Sequence, residues 1–164
     1  MTLMEVVIAI GVVAFVIPIF LVMSKEAGDS RMNAEADTRS AWLAREVKQE
    51  ILAAWATPPR ESHFGGPLTF PTLATEATAE VLVYDYEGKF LAKGSAADLN
   101  GRSNIPNASY VVAVHGEAYQ PPNAVAPSQN LSLIQIRVLH PAKAPPNNRR
   151  AYRYPFISTR QGTL

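Results

Sequence analysis

Residues 1–23 read MTLMEVVIAIGVVAFVIPIFLVM, and residues 24–55 continue as SKEAGDSRMNAEADTRSAWLAREVKQEILAAW. Reading both stretches as one helix decides the fold, because the periodicity changes after them. Residues 6–23 carry no charged side chain. At ~1.5 Å per residue that run is about 27 Å of helix, close to the ~30 Å hydrocarbon thickness of a bilayer. The second stretch is rich in helix formers. It places opposite charges one turn apart, Lys25 with Asp29 and Glu35 with both Arg31 and Arg39. Leu43, Val47, Ile51 and Ala54 or Trp55 share one face. The helix over 1–55 therefore changes character along its length. Residues 1–24 are apolar on every side and suit a membrane or a bundle of like helices. Residues 25–55 are amphipathic, with a stripe able to cover a sheet. Gly11 weakens the helix by about 1 kcal/mol relative to Ala. Pro18 removes one amide donor and crowds the carbonyl of Ala14, which predicts a kink or an unwound turn.

The prolines at 58–59 stop the helix. Residues 56–164 then read as a globular β domain. EVLVYDY (80–86) alternates, Glu87–Gly88 forms a turn, and KFLA (89–92) returns. Asp85 and Glu87 read as hairpin residues beside Gly88 rather than as metal ligands. SYVVAVHG (109–116) and LSLIQIRVL (131–139) are further strands, the latter with Ser132, Ile134, Ile136 and Val138 on one side. RAYRYPFIS (150–158) is a last, weaker strand in which Pro155 suits an edge. The expected architecture is α+β: a long N-terminal helix packed against a small antiparallel sheet of about four strands.

Composition removes several classes of function. The chain has 164 residues, no cysteine and a formal net charge of +1. Disulfides, thiolate catalysis and cysteine-ligated metals are excluded. His63, His115 and His140 stand far apart in no metal-ligand spacing. Neither a nucleophile elbow nor a glycine-rich phosphate loop occurs. The chain reads as a non-enzyme with no cofactor and no metal site. Two triplets, Asn107–Ser109 and Asn130–Ser132, fit the glycosylation acceptor pattern, which is common by chance. In NNRRAYRYPF (147–156), Arg149, Arg150 and Arg153 interleave with Tyr152 and Tyr154. This basic patch could meet nucleic acid, but a solvated edge strand whose charges prevent edge pairing is the preferred reading.

Glu5 is the anomaly of the first stretch. An acid near mid-membrane costs about 2.5–3.5 kcal/mol on the translocon scale. No Lys or Arg precedes the apolar run, so the stretch does not read as a secretory signal peptide. A carboxylate one turn from the chain's first amides is favoured by them. A free amine at Met1 would be its natural counter-charge, either in its own chain or in a neighbour.

MTLMEVVIAIGVVAF resembles the N-terminus of mature type IV pilins and type II secretion pseudopilins. Met1, Thr2, Leu3, Met4 and Glu5 fall in that family's register. The resemblance implies that a prepilin peptidase cleaves a basic leader before Met1 and methylates the new end. It implies a filament subunit, assembled from the inner membrane by a platform protein and a cytoplasmic ATPase into a helical polymer of identical chains. Met1, Glu5, Gly11 and Pro18 are then the assembly residues, with Glu5 pairing to a Met1 amine. The implied location is the inner membrane first and an extracellular filament afterwards. Two alternatives stay open, a periplasmic pseudopilus subunit of a type II secretion system and a monomeric membrane-anchored binding domain. VLVYDYEGKFLAKGSA and LIQIRVLHPA also resemble, more loosely, prepilin-like cassette proteins of Verrucomicrobia. The chain departs from the family in having no disulfide loop, an earlier proline and no dense run of calcium ligands.

Overall fold

The structure is a computed structural model that describes residues 2–55, 62–64, 79–126, 128 and 131–159. Met1, the helix stop at 58–59 and Asn130 lie outside the described residues. The chain divides into two compact units, Met1–Thr38 and Arg39–Leu164.

Helix α1 runs from Leu3 to Ala54. The helix is continuous through Pro18, so of the two expected outcomes the unwound turn does not occur. One lost amide removes a single rung, and the turns on either side keep theirs.

In the second unit, strands β1 (Glu80–Tyr84) and β2 (Phe90–Lys93) form a hairpin. The five-residue helix α2 (Ala96–Asn100) follows, then β3 (Tyr110–Ala118), β4 (Leu131–His140) and β5 (Arg150–Thr159). The sheet order is β2-β1-β3-β4-β5, with every neighbouring pair antiparallel. Among the described residues it has five strands, because the short hairpin return pairs as a strand in its own right. The β5 strand is as long as β4 and lies at the edge, where Pro155 sits opposite Gln135.

Gly88 makes the hairpin possible. Its φ is +87°, the left-handed region, and its amide donates to the Asp85 carbonyl at 3.3 Å. The Asp85 carboxylate accepts from the Lys89 amide at 2.8 Å, so Asp85 is committed to the turn. A Cβ on residue 88 would lie 2.5 Å from the ring of Trp42, so glycine is needed for space as well as for conformation.

One face of the sheet carries Leu82, Tyr84, Tyr110, Val112, Val114, Ile134, Ile136 and Val138, packed with Leu43, Val47 and Ile51 of α1. The expected stripe does cover the sheet. The Ser40 and Tyr154 hydroxyls are hydrogen-bonded at 2.8 Å, and the Lys48 ammonium lies 4.9 Å from the Phe156 ring centroid, fixing the helix over β5.

The opposite face is also covered over β1 and β3. Val81, Val83, Val111, Ala113 and Leu139 pack with Leu99 of α2, Ala108 and Ala142. This is why EVLVY and the start of β3 are buried on successive residues, whereas β4 keeps the expected alternation. The cover begins with a capping arrangement. The Asp98 carboxylate accepts from the Ser95 amide and the Ser95 hydroxyl, each at 2.9 Å, and from the Ser103 hydroxyl at 2.9 Å. Burial pushes the Asp98 carboxyl up, but the hydrogen bonds from Ser95 and Ser103 outweigh it and hold its pKa below the usual value.

Candidate functional site

The first unit offers one chemical feature, an acid at the start of an apolar rod. Thr2 precedes α1, and its carbonyl accepts from the Glu5 amide at 3.0 Å and the Val6 amide at 3.4 Å. The Glu5 carboxylate reaches back to the Thr2 amide at 2.9 Å. That return bond is half of a capping box, Thr-x-x-Glu, and satisfies a donor that the helix ladder leaves open. The sequence reading placed the carboxylate near the first amides, and the amide it bonds is that of Thr2. Met1, and with it any bond from Glu5 to the Met1 amine, lies outside the described residues.

Every large apolar side chain between Leu3 and Met23 is exposed. Burying each one from water is worth about 1.5–3 kcal/mol. Summed along the run, that exceeds the ~5–15 kcal/mol that holds a whole domain folded. This surface therefore requires a lipid or protein environment. By length and composition α1 is able to cross a membrane. Gly11 has nothing of its own chain within 4 Å of where a Cβ would stand. The same is true of Gly28, so the open space is shared by both glycines of α1. Pro18 likewise lies exposed in the helix.

The basic segment of β5 is rearranged relative to its sequence reading. Arg149 does not join a surface patch. Its Nε donates to the Ala144 carbonyl at 3.0 Å, and its Nη1 donates to Asp98 O at 2.8 Å and Leu99 O at 3.2 Å. Its Nη2 donates to the carbonyls of Gly101 and Ala142. The side chain caps the carbonyl end of α2 and ties it to the loop after β4. Arg150 and Arg153 are exposed, as expected of an edge. Strand alternation turns Tyr152 and Tyr154 toward the helix-covered core and Arg153 to the other face. Arg153 is thereby parted from both tyrosines, whereas Arg150 keeps their parity at the start of the strand.

A third cluster went unnoticed in the sequence. Glu50 accepts from the His63 amide at 3.2 Å and pairs with the His63 ring, which stacks on Phe90 at 4.0 Å between centroids. Glu46, one turn earlier, has a carboxylate oxygen buried without a hydrogen-bond partner, as does the hydroxyl of Tyr84. Burial pushes the Glu46 carboxyl up, the Glu50 charge adds to this, and His63 opposes it. The Tyr84 hydroxyl is also pushed up, first by burial and then by Glu50 and Glu46. A raised folded pKa favours the protonated form, so Glu46 supports the fold below its ordinary value of 4.5 and loses that support as pH rises through the raised value. Glu46→Gln is therefore expected to stabilise the chain at pH 7 and to leave it unchanged at pH 4, measured as the urea midpoint in detergent. Spacing gave no warning, because the two residues stand 13 apart in sequence and share no periodic face.

His140 stacks on Tyr110 at 4.6 Å and shares a hydrogen bond of 3.0 Å with the Ser109 carbonyl. Among the described residues no group of three or more His, Asp or Glu is placed to hold a metal ion. Asn107 is exposed with φ +57° in a turn. No protein-family model, curated protein or solved structure matches this chain.

Proposed function

We propose that this chain is a structural subunit of a type IV pilus-like filament, anchored in the inner membrane before assembly and packed through α1 afterwards. The observation that carries the reading is an acid at position 5 of a helix whose other residues through Met23 are uncharged and whose large apolar side chains there are all exposed. The resemblance of the first residues to mature pilins supplies the chemistry, in which Glu5 of one copy pairs with the Met1 amine of another. In a water-excluded bundle, a copy docked out of step leaves a charge unpaired, which sets the register. Exchange of lipid for like helices gains little hydrophobic free energy, so the preference comes from packing at Gly11 and from the charge pair. The same resemblance implies processing by a prepilin peptidase and extraction by an assembly ATPase and platform protein.

A second reading is a membrane-anchored monomer. The Glu5 bond to the Thr2 amide favours it, because the carboxylate then has a partner within its own chain. Intact mass with N-terminal fragmentation, together with electron micrographs of the cell surface, separates the readings. The filament reading expects a methylated Met1 and long fibres composed of this chain. An unmodified end on a chain that forms no fibres would leave the monomer. Methylation with periplasmic rather than surface assemblies would point to a secretion pseudopilus.

A further inference from the structure

Asn100 is followed by Gly101, and no other asparagine of the chain precedes a glycine. The pair closes α2, where the Leu99 side chain is buried against the sheet and Asn100 is exposed. The fold requires the glycine. A Cβ on residue 101 would lie 2.8 Å from the Ala97 carbonyl oxygen, a backbone atom of the same short helix. The missing Cβ also leaves the residue 101 nitrogen unshielded toward the Asn100 side chain. Nitrogen and side-chain carbonyl carbon are tethered within one five-membered ring, so their encounter needs no further loss of translational freedom.

Arg149 brings a fixed charge to this peptide. Its Nη1 donates to the Leu99 carbonyl at 3.2 Å and its Nη2 to the Gly101 carbonyl, one on each side of the Asn100–Gly101 bond. A cation held beside a peptide favours the anionic nitrogen that forms when the amide proton leaves. The same guanidinium is what ties α2 down, because a helix of five residues holds itself weakly.

We propose that Asn100 is a self-modifying site, which converts to isoaspartate in the folded chain and so undoes the Arg149 clamp. Hydroxide takes the Gly101 amide proton. The nitrogen then bonds to Cγ of Asn100, the Cγ–Nδ2 bond breaks, and a cyclic imide is left. The departing nitrogen takes a proton from water, leaves as ammonia and restores the hydroxide. Water next opens the imide at either carbonyl. Opening at Cγ gives aspartate. Opening at the main-chain carbon gives isoaspartate, in which the chain runs through Cβ and Cγ and is one atom longer. One water is consumed beyond the imide, one ammonia is released, and nothing is oxidised or reduced. In isoaspartate the carbonyls of Leu99 and Gly101 stand further apart than one planar fork spans. The freed carboxylate also competes for the guanidinium donors. Leu99 then loses its tether over Val81, Val83 and Val111. The site lies wholly in the second unit and acts whether or not copies assemble.

The full-length chain in detergent would be aged at 37 °C at pH 6 and pH 8, sampled, and digested with trypsin. The peptide 94–102, between Lys93 and Arg102, carries the site. Fragmentation, and methyl transfer from S-adenosylmethionine by an isoaspartyl methyltransferase, read the product. Asn100 is expected to be lost at least tenfold faster than any other asparagine, and faster at pH 8. The isoaspartyl fraction is expected to unfold at least about 4 °C below the fresh chain. Asn100→Gln, which would need a six-membered ring, is expected to keep its unfolding temperature on ageing. Asn100→Asp, with the charge but no longer chain, is expected to stay close to the parent. An Asn100 that survives in the folded chain as long as the other asparagines overturns the proposal, and conversion in urea alone would show that the fold protects it. Conversion without a fall in unfolding temperature would overturn the link to Arg149. So would an equal fall from Asn100→Asp, which would assign the effect to charge.

Discussion

Glu5→Ala is expected to abolish fibres while the chain still enters the membrane at the parent's level. Removing the carboxylate leaves any Met1 ammonium in the bundle without its counter-charge. Breaking one side of a buried ion pair costs about 3–5 kcal/mol. That is a factor of roughly 150 to 4,000 in docking each subunit. Insertion has the opposite dependence, since an uncharged residue near the end of an apolar helix is easier to place in lipid. The Glu5 bond to the Thr2 amide calls for a second variant. Glu5→Gln keeps an oxygen that can accept from Thr2 and loses only the charge. If charge pairing drives assembly, Gln fails as Ala does. If the cap is what matters, Gln restores fibres, and the pairing mechanism is wrong. Membrane fractionation and fibre yield by microscopy read the two steps separately.

Arg149→Ala is expected to be the most damaging change in the second unit. One guanidinium satisfies carbonyls of Asp98, Leu99, Gly101, Ala142 and Ala144. Stranding partly buried acceptors costs about 1–3 kcal/mol each where water does not replace the donor. Water reaches some of them, so a net loss of about 3 kcal/mol is a fair expectation. For a chain of this size that lowers Tm by roughly 6–12 °C. Arg150→Ala and Arg153→Ala, at exposed positions of β5, are expected to stay within about 0.5 kcal/mol. Thermal unfolding in detergent compares all three. Arg149→Lys is expected to recover only part of the loss, because one ammonium cannot reach carbonyls on both sides of a planar fork.

The parts of the fold readable from sequence were those written as periodicity. The stripe Leu43, Val47 and Ile51 and the alternation of β4 each encode a face, and each face is buried as expected. The cover over the far side of the sheet was not read, although Ser95 and Asp98 spell a helix start three residues apart. Its consequence is the unbroken burial of β1 and of the first half of β3. The role of Arg149 was not legible because its side chain bonds carbonyls of Asp98, Leu99 and Gly101, about 50 residues away in sequence. Strand parity alone would have parted Arg153 from Tyr152 and Tyr154, since successive residues face opposite ways. At the helix start the Thr-x-x-Glu pattern was present in the sequence. The counter-charge proposed for Glu5 belongs to a contact between copies, which one chain does not display.

The edges of the sheet bear on what happens when many copies are crowded together. One outer strand, β2, is only four residues long. The other, β5, has ten, but it carries an imino acid at Pro155 and exposed cations at Arg150 and Arg153. Neither border is a good template for a stray strand, the usual nucleus of irreversible cross-β aggregation. In the proposed filament, association would be left to side-chain surfaces and the apolar rod.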